Sequence, residues 1–578
     1  MIRLRQLTLI LTMITISIAF CRVSWYIILV MENRLLHTPE GVRDVYGDDY
    51  ERKLRLQLEF LQILRNYGYK EIDTPSFEYF DVYSGEVGTT PSGELYKFFD
   101  KDNNTLVLRP DFTPGVARAA AKYFIEEDPH VKLSYSGNVF SNARSLSGKL
   151  KENTELGAEY MGDGSVEADG EMIAMAVELL EKAGLKDFQI CIGNAGYFKG
   201  LCDETGIDGE LEMNLRDEIG NKNQFAAENL LKGTDYPGSQ VDKILRCVEL
   251  FGDVSVLDRA LVGIVNERSK AAIERLKAVY EEARGRGIQK YLTFDLSMLS
   301  KYNYYTGIIF RAYSSSLGDA ILKGGRYDNL LSKFGHDAPA LGFTLSLDDV
   351  VSALKEEESG RGTGKNEYLT FALTKGRLAE KTMALLEEIG VSVEEMQDKS
   401  SRKLIFTDEK NKMRFFLAKG PDVPTYVEYG AADIGVVGED TILEEGRKIY
   451  EVLDLGFGKC RMCIAGPESA GELLKHREMI RVATKYPEIT RDYFQNVKHQ
   501  TVDIIKLNGS IELAPIVGLA DVICDIVETG STLRENGLVV LEEVVPLSAR
   551  VVINTVSMRI HADRITKLIR ALREKTEK

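Results

Sequence analysis

The chain has 578 residues, a formal net charge of −16 at pH 7, 44% hydrophobic residues and 28% charged residues. This length predicts about three or four domains, and the composition excludes a disordered chain, a collagen-like chain and a polytopic membrane protein. The acidic balance disfavours broad binding to a phosphate backbone, so no nucleic-acid partner is expected. Seven scattered cysteines are too few for a disulfide framework and favour a reducing, cytoplasmic location.

The first 30 residues form an apolar N-terminal extension. Arg3 and Arg5 precede an uncharged run that Arg22 ends. The run is about 16 residues long, short of the ~20 that a membrane-spanning helix needs. Cationic residues before a short apolar run also occur in signal peptides. Three interpretations stay open: an over-extended start with translation from Met31, a membrane anchor, and a cleaved signal.

The elements predicted for residues 31–354 come in blocks of strands and helices. Leucines at near-helical spacing predict a helix over 49–67. Apolar runs predict strands over 104–109 and 307–311, and amphipathic spacing predicts helices over 174–184, 239–250 and 269–286. This pattern is typical of an α+β domain.

The segment 355–366 is charged, rich in glycine and free of large apolar residues, which predicts a linker. The pattern changes after it. Over residues 367–578, strands and helices alternate, which indicates an α/β domain. The predicted elements are strands over 368–373, 433–437 and 522–527 and helices over 378–389 and 560–575.

The most informative motif reads Asp525-Ile-Val-Glu-Thr-Gly-Ser-Thr532. A buried strand is predicted to run into a small-residue loop and a short helix, and Thr532 and Glu535 have capping-box spacing. The loop from Thr529 onward would offer amides and hydroxyls to a phosphate. Asp525 and Glu528 would accept hydrogen bonds from two adjacent sugar hydroxyls. A capped strand–turn–helix without a ligand is the alternative interpretation.

Two further sets of residues carry chemistry. Lys375-Gly-Arg377 places two cations on a strand-to-helix loop, which suits a diphosphate or triphosphate, although a solvated basic turn is the alternative. Cys460 and Cys463 have the spacing of a redox or metal pair. No second cysteine pair or nearby histidine accompanies them in the sequence, so buried thiols are the prediction.

Taken together, the motifs of the second half resemble ATP phosphoribosyltransferase, the first enzyme of histidine biosynthesis, in its short form without a C-terminal regulatory domain. The resemblance implies two α/β lobes like those of a periplasmic binding protein, with the substrates in the cleft. One departure is Glu439, where a lysine is expected. The matching segments are 372–378, 422–430, 432–438, 453–461, 481–487, 505–510, 512–515 and the motif 525–532. Residues 528–532 of this motif are called the sugar loop below, after the role that the resemblance implies.

Six segments of the first half match one family: 38–44, 74–78, 108–113, 304–307, 324–328 and 339–343. Through them the first half resembles histidyl-tRNA synthetase over about 31–350, which implies a class II synthetase fold, an antiparallel sheet with helices. Cations that the synthetase needs against ATP phosphates are replaced by Ser141, Ser300 and Asp349, and the linker follows without an anticodon-binding domain. This pattern is similar to the synthetase-like regulatory subunit of ATP phosphoribosyltransferase.

The two resemblances imply a fusion of regulatory and catalytic subunits that transfers the phosphoribosyl group of 5-phosphoribosyl 1-diphosphate to ATP. They also imply that Mg²⁺ is bound to the diphosphate rather than held by the protein. They imply that Lys375, Arg377 and Lys419 act on phosphates and that Lys375, Gly376, Arg377 and Asp454 contact ATP. They also imply that Asp525, Glu528, Thr529, Gly530, Ser531 and Thr532 hold the phosphoribosyl donor.

The first half is expected to sense L-histidine as a feedback inhibitor through Glu86, Tyr304 and Tyr305, and the chain is expected to form a homo-oligomer. Gly88 stands where a threonine is expected, so the binding mode is open to change. Two alternatives remain at this point. One is a functioning synthetase fused to a transferase, and the other is a solute receptor that only binds its ligand.

Overall fold

The computed structural model describes residues 35–84, 90–144, 148–299, 304–359, 367–392, 394–397, 403–476 and 479–576. Within these ranges, no helix is both long and apolar enough to cross a membrane. The predicted N-terminal extension lies outside the described residues, and so does most of the predicted linker.

A nine-stranded sheet organises the described part of the first half, in the order β1-β5-β6-β12-β11-β10-β7-β9-β8. Its neighbouring strands are antiparallel except for the pairs β1–β5 and β7–β9. Strands β2, β4 and β3 form a separate antiparallel sheet. The strands are β1 (Lys70–Glu71), β2 (Phe77–Tyr79), β3 (Lys97–Phe99), β4 (Thr105–Leu108), β5 (Val131–Phe140), β6 (Glu152–Met161), β7 (Phe188–Asn194), β8 (Phe251–Gly252), β9 (Leu292–Asp295), β10 (Ile308–Ser314), β11 (Leu322–Arg326) and β12 (Ala340–Ser346).

The helices of the first half largely follow the predicted periodicity. They are α1 (Asp48–Asn66), α2 (Thr113–Tyr123), α3 (Val166–Ala183), α4 (Ala195–Thr205), α5 (Gly209–Gly220), α6 (Gln224–Leu231), α7 (Gly238–Arg246), α8 (Ser255–Leu261), α9 (Glu267–Gly285) and α10 (Leu347–Glu358). Helix α3 begins earlier than the predicted residue 174, because the Ser165 hydroxyl accepts the Ala168 amide at 3.2 Å and caps it. Helix α10 runs to Glu358, so the first residues of the predicted linker are helical.

Helices cover one face of the large sheet with an apolar core. Phe60 of α1 and Met172 of α3 share a core with Leu156 and Ala158 of β6. Successive strand residues point to opposite faces. Glu159 therefore points away from this core.

The second half folds as two lobes, each built on its own sheet. The first lobe has the strand order β14-β15-β13-β16-β23-β17, and the second has β20-β19-β21-β18-β22. The chain crosses between the lobes after β17 and returns between β22 and β23. The strands are β13 (Leu369–Thr374), β14 (Ile405–Asp408), β15 (Met413–Ala418), β16 (Ile434–Gly438), β17 (Tyr450–Asp454), β18 (Cys460–Gly466), β19 (Ile480–Thr484), β20 (Val502–Lys506), β21 (Val522–Val527), β22 (Val539–Leu547) and β23 (Ala549–Ile553).

Each lobe has two parallel strand pairs beside antiparallel ones, and helices alternate with the strands, as the alternating pattern predicts. The helices are α11 (Arg377–Glu388), α12 (Glu394–Gln397), α13 (Val423–Glu428), α14 (Glu439–Glu445), α15 (Ala470–His476), α16 (Pro487–Asp492), α17 (Leu513–Ile516), α18 (Ser531–Glu535), α19 (Ser557–Ile560) and α20 (Ala562–Thr576).

Candidate active site

Three predicted cations lie at one edge of the first lobe. Strands β13 and β15 are parallel, so the residues that follow them, Lys375 and Lys419, come to the same edge. The Lys375 amide donates to the Ala418 carbonyl at 2.9 Å, which fixes the start of the loop. Arg377 begins α11, and all three cationic side chains are exposed at this edge.

Gly376 makes this loop geometrically feasible. Its backbone has φ +97° and ψ −147°, a conformation that is essentially restricted to glycine. A side chain there would meet no atom within 4 Å, so the requirement is conformational rather than steric. The glycine thereby lets the chain turn from β13 directly into α11.

The sugar loop lies at the corresponding edge of the second lobe. It follows β21, and α18 begins at Ser531 after Gly530, whose φ is +71°. The Thr529 hydroxyl lies 3.0 Å from the Ser531 hydroxyl. Thr532 is inside the helix, so the predicted capping box is wrong: the left-handed Gly530, not Thr532, occupies the cap position.

The two edges face each other across the cleft. The Arg377 Nη2 atom lies 3.3 Å from the Glu528 Oε2 atom, which joins the loop after β13 in one lobe to the loop after β21 in the other. A second contact between the lobes involves Glu444 of α14, whose Oε2 atom accepts the Glu488 amide at 3.0 Å at the start of α16. The structure therefore assembles the predicted site from both lobes.

Asp525 lies deeper than Glu528. Burial raises the pKa of its carboxyl, and the nearby Lys485 opposes that shift. Tyr486 adjoins it, and the pKa of the Tyr486 phenol is raised by burial, by Asp440 of the first lobe and by Asp525 of the second. Sequence reasoning missed Tyr486 and Asp440. Only the approach of the two lobes brings them together.

Asp454 lies on the same edge of the first lobe but apart from the other candidates. It ends β17, three strands from β13, or about 14 Å at ~4.8 Å per strand. Its Oδ1 atom accepts the Gly456 amide and the Ser548 hydroxyl, each at 2.8 Å. The structure thus places Asp454 where the chain crosses between the lobes.

The opposite face of the first-half sheet carries a cluster of buried aromatic and polar side chains around Glu159. Tyr304 is buried and stacks on Tyr327, with ring centroids 5.6 Å apart. Beside them Glu159 accepts hydrogen bonds from Thr113 at 2.8 Å, Tyr135 at 3.1 Å and Tyr327. Burial raises the pKa of Glu159 to about 8.

Two glycine motifs leave room for side chains of this cluster. A Cβ atom on Gly342 would lie 1.7 Å from the Glu159 carboxyl group, and one on Gly325 would lie 2.7 Å from the Tyr305 ring. The rings of the predicted sensing residues Tyr304 and Tyr305 lie together, with centroids 5.0 Å apart, whereas Glu86 lies outside the described residues.

Sequence reasoning missed Glu159. The available signal was the alternation in β6, where acidic and small residues share one face and apolar residues the other.

Comparisons with known proteins agree with this division. The family model described as histidyl-tRNA synthetase matches residues 41–350, and the one described as ATP phosphoribosyltransferase matches residues 419–574. An ATP phosphoribosyltransferase of Lachnoclostridium phytofermentans is 74% identical over 208 residues, which cover 36% of this chain and 97% of the relative. An ATP phosphoribosyltransferase regulatory subunit of Ruminiclostridium cellulolyticum is 38% identical over 321 residues, which cover 56% of this chain and 77% of the relative.

A solved structure is similar to the first half. It is an ATP phosphoribosyltransferase regulatory subunit/histidyl-tRNA synthetase from Bacillus halodurans, with a TM-score of 0.53 and 28% identity, covering 66% of this chain and 98% of that chain. The fusion inferred from the motifs is thereby confirmed: the chain belongs to the ATP phosphoribosyltransferase family, with a synthetase-like regulatory half joined to a catalytic half.

Proposed function

We propose that the chain transfers the phosphoribosyl group of 5-phosphoribosyl 1-diphosphate to N1 of ATP and releases diphosphate, the first step of histidine biosynthesis. The observation that carries the proposal is the approach of Arg377 to Glu528 at 3.3 Å, because it joins a phosphate-binding edge to a sugar-binding loop. N1 attacks the anomeric carbon as the diphosphate leaves, so positioning and charge stabilisation supply most of the rate enhancement.

Each edge of the cleft has its own task. Asp525 and Glu528 accept hydrogen bonds from the ribose hydroxyls, and the loop from Thr529 to Thr532 holds the 5-phosphate. Lys375, Arg377 and Lys419 neutralise the diphosphate and the triphosphate of ATP. Mg²⁺ enters with the diphosphate, because this ion keeps several waters and is usually bound through substrate phosphates rather than by an all-protein site.

A steady-state assay of diphosphate release tests this function. The full chain should require both ATP and the phosphoribosyl donor, and mass spectrometry should identify phosphoribosyl-ATP. Release of diphosphate from ATP with histidine alone would instead indicate a working synthetase. Binding of the donor without turnover would indicate a receptor.

We propose in addition that L-histidine inhibits this reaction by binding between Tyr304, Tyr305 and Glu159. The buried carboxylate offers an acceptor for the ligand's imidazole, and the rings enclose it. Titration of histidine against the full chain should show inhibition that Tyr304→Ala and Glu86→Ala weaken. Tyr123→Ala, which alters an exposed tyrosine, is the control and should leave inhibition unchanged. Equal inhibition of all four proteins would place the sensor elsewhere.

Self-association and a cytoplasmic location complete the proposal. Tyr50, Leu54 and Leu58 form an exposed apolar stripe on α1, which supports a homo-oligomer. The six described cysteines are free thiols, which supports a reducing compartment. Light scattering of the purified chain gives the oligomeric state directly.

A further inference from the structure

Asp454 joins the two crossings of the hinge between the catalytic lobes, beside backbone hydrogen bonds from the Leu455 amide to the Ala549 carbonyl at 2.9 Å and from the Ala549 amide to the Phe457 carbonyl at 3.0 Å. The chain crosses from the first lobe through residues 455–459 and returns at Ser548. Asp454 accepts the Gly456 amide from one crossing and the Ser548 hydroxyl from the other, each at 2.8 Å. A shift of Asp454 would therefore move both crossings at once.

One buried guanidinium holds Asp454 in turn. Arg550 of β23 has a side chain that is 3% exposed, and its Nη1 atom lies 3.3 Å from Asp454 Oδ2. The same guanidinium contacts Glu439 of α14 at 2.7 Å and Glu451 of β17 at 3.3 Å. Three carboxylates from two elements thus converge on one cation. Glu439, the departure from the family pattern, is one of them.

The first half covers this cation. The Phe225 ring of α6 lies over the guanidinium, with its centroid 4.3 Å from Arg550 Cζ. Asn223, two residues before Phe225, donates a hydrogen bond from its side-chain amide to the Glu451 carboxylate at 3.2 Å. Helix α6 of the regulatory half therefore packs on the hinge of the catalytic half.

The turn before α6 is anchored to the end of β9. Lys222 is fully buried, and its ammonium group lies 3.1 Å from Asp295 and 2.8 Å from the Ser297 hydroxyl. Asp295 ends β9. Lys222 therefore ties the turn that leads into Phe225 to the large sheet of the regulatory half.

We propose that Arg550 is a positioning residue that sets the angle between the catalytic lobes, and that Phe225 is the contact through which the regulatory half controls it. The inference rests on the proposed transferase activity and its inhibition by histidine. Arg550 acts through Asp454 and touches no substrate. Closing the cleft brings Arg377 and Glu528 together, so a change at the hinge alters binding of both substrates and turnover alike.

The test uses the full chain with Phe225→Leu, which keeps apolar bulk but removes the aromatic face over the guanidinium. We expect kcat/KM to fall at least fivefold for both substrates and the inhibitory constant of histidine to rise at least fivefold, while calorimetry still detects histidine binding. The matched control is Tyr368→Leu. It removes the ring 4.0 Å from Arg414, a pair that lies wholly within the catalytic half, and it should change neither constant.

Substitutions at Arg550 provide the second test of the proposal. Arg550→Gln should lower kcat and raise both KM values, and Arg550→Lys should recover part of the loss because it keeps the charge. Should Arg550→Gln fail to fold, the Phe225 series decides alone. An active, histidine-inhibited parent with unchanged Phe225→Leu kinetics would overturn the inference. A parent without activity or inhibition would instead overturn the proposed function.

Discussion

At the scale of single residues, Glu528 is the proposed link between sugar recognition and the closing of the cleft. It follows β21, its carboxylate faces Arg377, and both side chains are more than half exposed. An exposed ion pair contributes at most about 1 kcal/mol to stability. Substitutions at Glu528 therefore report on substrate binding and not on folding.

Glu528→Ala and Thr529→Ala should raise the KM for the phosphoribosyl donor far more than the KM for ATP. Each removes a hydrogen bond to the donor worth about 1–3 kcal/mol, so the increase should be roughly five- to 150-fold. Initial rates at saturating levels of the other substrate measure both constants. Glu535→Ala, at the far end of α18, is the control. Equal changes in the two constants would contradict the assignment of the loop.

Glu159 should make the stability of the first half depend on pH. Its pKa is about 8 in the folded chain, above the value of 4.5 for an unperturbed glutamate, because burial disfavours the charged form. The unfolded chain therefore releases this proton first as the pH rises. Between about pH 4.5 and pH 8, this residue should lower the free energy of unfolding as the pH rises, by at most ~1.4 kcal/mol per pH unit. Above pH 8 it should cause no further loss.

Urea unfolding of the parent and Glu159→Gln at pH 5, 6.5 and 8 measures this dependence. The variant cannot ionise, so its stability relative to the parent should increase with pH across this range. Glu358→Gln alters an exposed partner of Arg52 and serves as the control. Parallel pH profiles for parent and Glu159→Gln would disprove the expected contribution.

At the scale of elements, the turn from β13 into α11 positions the cations of the first lobe. Gly376 opens the helix with φ +97°, and Gly390 follows its end with φ +85°. Neither would bring a Cβ atom within 4 Å of another group. The two glycines therefore carry similar backbone strain if substituted, but only Gly376 adjoins the site.

Gly376→Ala should lower kcat/KM at least tenfold, because relief of the strain displaces Lys375 and Arg377. Gly390→Ala is the matched control and should leave kcat/KM unchanged. Both variants should lose about 1–3 kcal/mol of stability. Thermal unfolding and initial rates on the same samples separate the two effects. A similar kinetic loss in both variants would show that strain, rather than the loop, limits activity.

At the scale of the whole molecule, the catalytic half packs on the same sheet face that carries Tyr304 and Tyr305. Val556 and Ile560 share an apolar cluster with Tyr305, Ile309 and Tyr313. Arg559 lies between the halves and is 3% exposed. Its Nη2 atom lies 2.6 Å from the Tyr450 hydroxyl of the catalytic half and 3.2 Å from the Asp295 carboxylate of the first half. The proposed sensor and the catalytic lobes are therefore continuous through packed side chains.

Arg559→Met should loosen the two halves from each other. Breaking a buried ion pair costs about 3–5 kcal/mol, and here the pair joins the two halves. Differential scanning calorimetry should show a lower first transition and a separation of the transitions of the two halves. Arg564→Met, which removes bonds to carbonyl groups within the catalytic half, should not separate them. Superimposable traces for parent and Arg559→Met would contradict a coupling role.

Much of the fold follows from local sequence. Leucine spacing predicts α1, and alternating strand and helix patterns predict the layered second half, because periodicity records which face of an element is buried. The boundaries are less certain. Helix α3 starts eight residues before the predicted start, since the signal is one hydroxyl cap at Ser165 rather than apolar spacing.

The sequence by itself determined the two-part organisation, the family and the loops that carry Lys375, Lys419 and the motif at 525–532, because each is encoded in contiguous residues. Only the tertiary structure decided which loops meet. Arg377 faces Glu528, and Phe225 covers Arg550, across hundreds of residues. Such contacts depend on strand order, lobe closure and the docking of one half on the other, and no local pattern of residues records these.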